Sequence, residues 1–445
     1  MRTGQQLRLT ALLAIPAILA QTASVMLQYI DASMVGNLGA NPSASIGLVS
    51  TSSWMLNGFA MAVSAGFSVQ VAHRCGAKDF EGARKLMRQG FLTSFVFGIL
   101  LSVAGLLLSG PLPGWLGGDP EICSDASAYF RIFSLFLPFM TLGYCSNASL
   151  QASGNMKVPS IMFISMAVLD VIFNYIFIYM LGWGVAGAAM GTGVAECTMA
   201  IASVTYAAAC SKDLRIVGEK ASFIPDAGNL RNAFGITGPL WLQNIVMRGA
   251  FIVATIIVAP LGPVSIAANS LAITAESFCY MPGYGLQESA TTLVGQCLGA
   301  ARKDLARQFA RINISLGALL MTLLGIVMYV FAPQLMGMLS IDPGVIELGA
   351  RCLRIEAFAE TLYAVSMVAY GSCVGAGDTM VPTALNFTSM WVVRIGLALL
   401  LTPKFGLVGY WIAMCAELNV RGLLYLWRIR GSRWLEKRFV EQKTN

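Results

Sequence analysis

The chain has 445 residues, a formal net charge of +7, 56% hydrophobic residues, 11% charged residues and a single histidine. That is too little charge to cover the surface of a water-soluble fold, so an ordinary soluble enzyme is excluded. At roughly 20 apolar residues per crossing, the hydrophobic residues suffice for on the order of twelve membrane spans and leave little for a soluble domain.

The amino terminus first reads like a secretory leader, with Arg2 and Arg8 ahead of an apolar run. The run continues through Ile30 and the segment returns later in the chain, so cleavage is not expected. Apolar runs at 9–35, 45–72, 89–109, 128–152, 159–181 and 184–208 predict six helices. A second six follow at 232–260, 264–297, 312–333, 344–374, 382–403 and 406–427. Turn chemistry punctuates them, as in Gly110-Pro111-Leu112-Pro113-Gly114 and Ile341-Asp342-Pro343-Gly344. The expected fold class is therefore an all-α membrane protein of twelve transmembrane helices. The ten cysteines form no CxxC pair and fall almost entirely within apolar stretches, so they read as small core residues. With His73 alone, histidine-ligated metals and histidine-based triads are excluded, and no metal site is expected.

Basic residues orient the spans. The termini and the loops after even-numbered spans hold 22 of them, including Arg2, Arg74, Lys78, Arg84, Lys85, Arg88, Lys220, Lys437, Arg438 and Lys443, whereas the loops after odd-numbered spans hold only Lys404. Both termini are thus expected in the cytoplasm. No base-stacking motif accompanies these cations, so no nucleic-acid partner is expected.

A repeat organises the chain. Pro16 returns as Pro239, Leu38-Gly39 as Leu261-Gly262, Gly76-Ala77 as Gly299-Ala300, Arg131-Ile132 as Arg354-Ile355, and Gly154 as Gly377, always at an offset of 223 residues. A constant offset implies two related six-helix bundles, expected at 1–209 and 231–430, with a cytoplasmic linker at 210–230 and a tail at 431–445. Six spans are an even number, so the bundles share one orientation and are related by a pseudo-two-fold axis along the membrane normal, an arrangement used by transporters.

An ionisable group within hydrocarbon costs roughly 2.5–3.5 kcal/mol and so needs a partner or a purpose. The second bundle sets Glu276, Glu288, Glu356, Glu360 and Glu417 against five arginines, which can neutralise them. In it, Arg248 and Glu276 are expected to pair across two spans, as a structural tie or in a substrate cleft. The first bundle has Asp31, Asp170 and Glu196 against Arg131 alone. Asp170 precedes Asn174 by one helical turn, so both face one way. Asp31, Asn174 and Thr192 lie at similar depths, so spans 1, 5 and 6 can gather Asp31, Asp170, Asn174 and Thr192 into one polar pocket. Two close carboxylates there repel each other and are poorly solvated, so the pocket suits a shared proton or a small dehydrated cation.

Taken together, Asp31-Ala32-Ser33-Met34-Val35-Gly36-Asn37-Leu38-Gly39, Gly154-Asn155-Met156-Lys157-Val158-Pro159 and Met281-Pro282-Gly283-Tyr284-Gly285 make the chain resemble the multidrug and toxic compound extrusion (MATE) family, in particular its DNA-damage-inducible-like bacterial branch. The resemblance implies a V-shaped pair of six-helix bundles around a central cleft. It also implies export of amphipathic, cationic small molecules from the bacterial inner membrane in exchange for protons or sodium. Its ion site would use an acid late in span 1, two polar residues one turn apart on span 5 and a span-6 hydroxyl, matching Asp31, Asp170, Asn174 and Thr192. This chain reads Asp then Asn on span 5 where the branch usually reads Asn then Asp. The span-7 acid of some members is missing between Asn232 and Pro260. The expectation is a monomeric antiporter whose partners are organic cations or amphiphiles and membrane lipid. It would have no cofactor beyond the coupling ion, H+ or else Na+. A flippase for lipids or lipid-linked precursors is the alternative, and a membrane-embedded enzyme is disfavoured because no nucleophile and base are supplied.

Overall fold

The computed structural model describes residues 3–217 and 223–436, and contains helices and connecting turns with no strand among the described residues. Arg2, Lys220, Lys437, Arg438 and Lys443, with parts of the expected linker and tail, lie outside the described residues. The first predicted runs become α1 (Thr3–Gly36), α2 (Ala40–Gly76), α3 (Phe80–Leu108), the single turn α4 (Leu112–Trp115) and α5 (Pro120–Ala152). α6 (Lys157–Asn174) continues as a π-helical segment, Tyr175–Met180, and α7 (Gly184–Thr205) as another, Tyr206–Cys210. Then come α8 (Ala227–Val258), α9 (Pro263–Gly299) and α10 (Lys303–Leu339). α11 (Pro343–Glu356) and α12 (Glu360–Gly375) follow, and finally α13 (Met380–Phe387), α14 (Gly396–Phe405) and α15 (Leu407–Arg430).

Among the described residues, ten helical segments are long and apolar enough to cross a membrane, counting α6 and α7 with their π-helical continuations and α13 to α14 as one. The bent pair of α11 and α12 makes up to eleven. The single run predicted at 344–374 is therefore broken by 60° between Glu356 and Glu360. α9 corresponds to the remaining predicted span. It has the length, but Asn269, Ser270, Thr274, Glu276, Ser277, Gln287 and Glu288 dilute its apolar character. Much of it is covered by α10, α11 and α12, so it can carry polar groups that a lipid-facing helix cannot.

Helix ends follow local chemistry. Asp79 caps α3 by accepting from the Gly82 amide at 2.9 Å. Asp342 caps α11 by accepting from the Gly344 amide at 2.8 Å, with Pro343 at the first helical position. The repeat survives in the backbone, because the turns after α1 and α8 use Gly39 (φ 119°) and Gly262 (φ 90°), and those after α5 and α12 use Gly154 (φ 92°) and Gly377 (φ 78°). Lys78 (φ 59°) and Ala301 (φ 58°), 223 positions apart, both adopt the left-handed region that glycine would fill at less cost. Matched strain at matched positions means that the two loops share one geometry.

Two compact units form. One comprises residues 23–241; the other joins residues 3–22 to 242–436. α1 and α8, equivalent in the repeat, each contribute to both units. In the 23–241 unit α5 packs on α2, α3 and α7, and α7 packs on α6. The start of α8 is tied in by the Thr237 hydroxyl donating to the Ala62 carbonyl and the Trp241 indole donating to the Phe59 carbonyl, both at 3.1 Å. On the exposed side, Lys85 pairs with Asp226 at 2.6 Å and, by hydrogen bonding, holds that carboxyl below its ordinary value. In the other unit α9 packs on α10, α11 and α12, and α15 on α12 and α14. There Gln21 of α1 donates to Glu288 at 2.7 Å.

Arg131 and Arg354, paired by the repeat, do similar work. The Arg131 guanidinium approaches the Ser109 hydroxyl just past α3, and that of Arg354 approaches the Tyr329 carbonyl of α10, each at 3.4 Å. Each ties its helix to the long helix that precedes it.

Candidate functional site

The expected polar pocket assembles within the 23–241 unit. Asp31 stands five residues before the end of α1, Asp170 and Asn174 close α6, and Thr192 lies in the third turn of α7. The Asn174 amide donates to Asp31 Oδ1 at 3.1 Å and to Asp170 Oδ2 at 3.1 Å, so one NH2 group bridges the two carboxyls. The carboxyls of Asp31 and Asp170 lie within reach of each other, and the Thr192 hydroxyl faces Asp170. Asp170 is fully buried and Asn174 nearly so, whereas Asp31 and Thr192 are partly exposed. Asp170 Oδ1 and Asn174 Oδ1 have no hydrogen-bond partner. Buried acceptors left open in this way are costly unless a proton or cation completes them.

Local structure explains why this arrangement forms. The i, i+4 spacing of Asp170 and Asn174 puts them on one helix face, and Asn174 sits where α6 changes from α- to π-helical geometry, a feature frequent at functional sites. α7 approaches α6 closely because position 191 is glycine. A Cβ there would clash with Asn174 Oδ1 and stand 2.8 Å from the Asn174 backbone nitrogen. The absent side chain therefore sets where the amide sits.

Three neighbours escaped the sequence reading of the pocket. Tyr129 of α5 faces both aspartates. Glu196 lies one turn beyond Thr192 on α7 and faces Asp170 and Tyr144 of α5. The signal for Glu196 was in the sequence, as the third uncompensated acid of its bundle at i+4 from Thr192; nothing there marked Tyr129. Among the described residues, no group of three or more His, Cys, Asp or Glu side chains is placed around one metal position. The donors gathered here are two carboxyls, an amide and a hydroxyl.

The other unit corrects two expectations. Glu276 is buried, but the cation facing it is Arg394, not Arg248; Arg248 faces Tyr284. Spans 7 and 8 are adjacent in sequence, yet α9 turns this carboxyl toward the π-helical segment Thr388–Ile395, which carries Arg394. Nor do five acids and five bases neutralise one another. Arg421 holds Glu417 through two bonds of 2.7 Å, but Arg394 donates to the Tyr410 hydroxyl at 2.9 Å and Arg351 pairs with Glu347. Glu356 and Glu360, both fully buried beside the break between α11 and α12, keep all four carboxyl oxygens without a hydrogen-bond partner. Matching charges in number says nothing about reach.

Comparison with known proteins places this geometry in context. Residues 16–176 and 239–400 each match the sequence model of the family described as MatE, and the two matches start at the repeat offset. A probable multidrug resistance protein NorM of Chromobacterium violaceum is 26% identical over 435 residues, spanning 95% of this chain and 93% of the relative. A protein of the same description from Thermotoga maritima is 25% identical over 435 residues, spanning 96% and 93%. Among solved structures, a mutant of the Vibrio cholerae MATE transporter VcmN superposes with a TM-score of 0.90 at 19% identity, over 96% of this chain and 97% of that one. A MOP superfamily transporter from Pyrococcus furiosus gives 0.90 at 20% identity, over 98% and 99%. These likenesses establish the fold, twelve helices in two bundles.

Proposed function

Since the chain belongs to the MatE family, we propose that it is an antiporter that exports amphipathic, cationic small molecules through the bacterial inner membrane in exchange for protons. The relatives named as multidrug resistance proteins support export of small compounds, and the excess of basic residues in alternate loops supports cytoplasmic termini. The coupling ion binds at Asp31 and Asp170, with Asn174 and Thr192 completing the site. One observation carries this reading: Asn174 bridges two carboxyls, and Asp170 Oδ1 and the amide's own Oδ1 are left buried and open. A proton on either carboxyl removes one of the pair's two negative charges, relieves their repulsion and turns one acceptor into a donor toward a neighbouring open oxygen. The site then exists in two charge states, and a transporter can use the difference to bias its conformation.

The test uses the purified protein in liposomes with ethidium as a planar monocationic substrate. Under an imposed pH gradient without sodium, dye export is expected, and Asp31→Asn is expected to abolish it at unchanged protein content. Export that requires sodium would replace the proton by that ion. Unaltered export by Asp31→Asn would refute the coupling site.

A further inference from the structure

The ion site accounts for two of the three acids within the membrane spans of residues 23–241. The third, Glu196, sits four residues beyond Thr192 on the same face of α7, about 6 Å farther along the helix axis. It is partly exposed, so it is not sealed as Asp170 is. Groups face it from each helix packed nearby: Asp170 of α6, Tyr144 of α5 and, behind Tyr144, Asn57 of α2. Tyr129 of α5 and Asp31 of α1 lie on the far side of Asp170. The charged group closest to it is thus another acid.

Tyr144 has one hydroxyl hydrogen, which it donates to Asn57 Oδ1 at 3.5 Å, and its hydroxyl also faces the Glu196 carboxyl. When Glu196 is a carboxylate, the tyrosine hydrogen can turn to it. When Glu196 carries a proton of its own, the tyrosine hydrogen has Asn57 to turn to, and no donor is stranded. A group serving only to pack helices has no need of this second acceptor. Together, Asp31, Asn174, Asp170, Thr192, Glu196 and Tyr144 trace a line of oxygen and amide groups inward from the α1 end to the middle of α7.

We propose that Glu196 is a second proton-binding carboxyl in series with the aspartate pair, and that it takes up the coupling proton as the proton leaves Asp170. In each transfer one O–H bond breaks at the aspartic acid and one forms at Glu196, leaving Asp170 as the carboxylate and Glu196 as the neutral acid. Thr192, lying between them on α7, can accept one hydrogen while releasing its own. This inference rests on the proton-antiport reading above and adds to it the inward route of the ion.

The experiment compares wild type, Glu196→Gln, Glu196→Asp, Tyr144→Phe and Asp31→Asn in liposomes under a pH gradient, with ethidium export and internal pH recorded together. Ethidium binding to the detergent-solubilised protein is the folding control. Glu196→Gln is expected to bind dye nearly as wild type does but to slow proton-driven export by about a hundredfold or more, the lower end of what one positioned proton-transfer group contributes. Glu196→Asp, which restores a carboxyl, is expected to recover most of the rate, and Tyr144→Phe to fall between; a purely structural role would not give this order. Wild-type export and proton flux in Glu196→Gln, with Asp31→Asn inactive, would overturn the Glu196 assignment while leaving the antiport reading intact. A silent Asp31→Asn would remove the antiport reading itself. If Glu196→Gln fails to accumulate, Tyr144→Phe decides: a lowered proton flux supports the relay, and an unchanged one overturns it.

Discussion

Replacing Gly191 by alanine tests the ion site without touching any group that titrates. The added Cβ would clash with Asn174 Oδ1 and stand 2.8 Å from the Asn174 backbone nitrogen and 2.9 Å from its Cγ. The backbone of α6 cannot yield, so the amide must swing away and give up its bonds to Asp31 and Asp170. A hydrogen bond to a charged group contributes about 1.5–3 kcal/mol, so losing both costs about 3–6 kcal/mol. Alanine recovers about 1 kcal/mol over glycine within a helix. The net deficit of about 2–5 kcal/mol corresponds to at least ~30-fold weaker assembly of the site, at about 1.4 kcal/mol per factor of ten. Ethidium export from liposomes under a pH gradient is expected to fall accordingly, with normal membrane abundance. Gly47→Ala on α2, where a Cβ meets nothing within 4 Å, serves as the neutral control. Wild-type export by Gly191→Ala would refute the claim that the bridging amide organises the carboxyls.

Three further outcomes follow from the packing. Glu417→Gln leaves the Arg421 guanidinium buried without its two-bond partner, and should lower stability by about 3–5 kcal/mol, read as thermal unfolding in detergent. Glu356→Gln removes no ion pair and no hydrogen bond, so its cost should stay below about 1 kcal/mol in the same assay. Trp241→Phe deletes the indole bond to the Phe59 carbonyl while keeping the aromatic contacts with Phe59 and Phe97, and should cost about 1 kcal/mol.

Hydrophobic content and helical length fixed most of the architecture before any coordinates, because a lipid-exposed backbone must bond internally and so must be helical wherever the chain is apolar. The offset of 223 residues announced two bundles, and the same offset returns in the left-handed turns at Lys78 and Ala301. Depth along the helices was enough to bring Asp31, Asp170, Asn174 and Thr192 together, since along one helix distance is proportional to residue number. What sequence could not supply was rotation about the helix axes and the choice of neighbour. That is why Glu276 meets Arg394 rather than Arg248, why Glu356 and Glu360 stay without donors although bases are equally numerous, and why α1 and α8 are each shared between the compact units. Linear spacing sets which groups share a face, but only packing decides which faces meet.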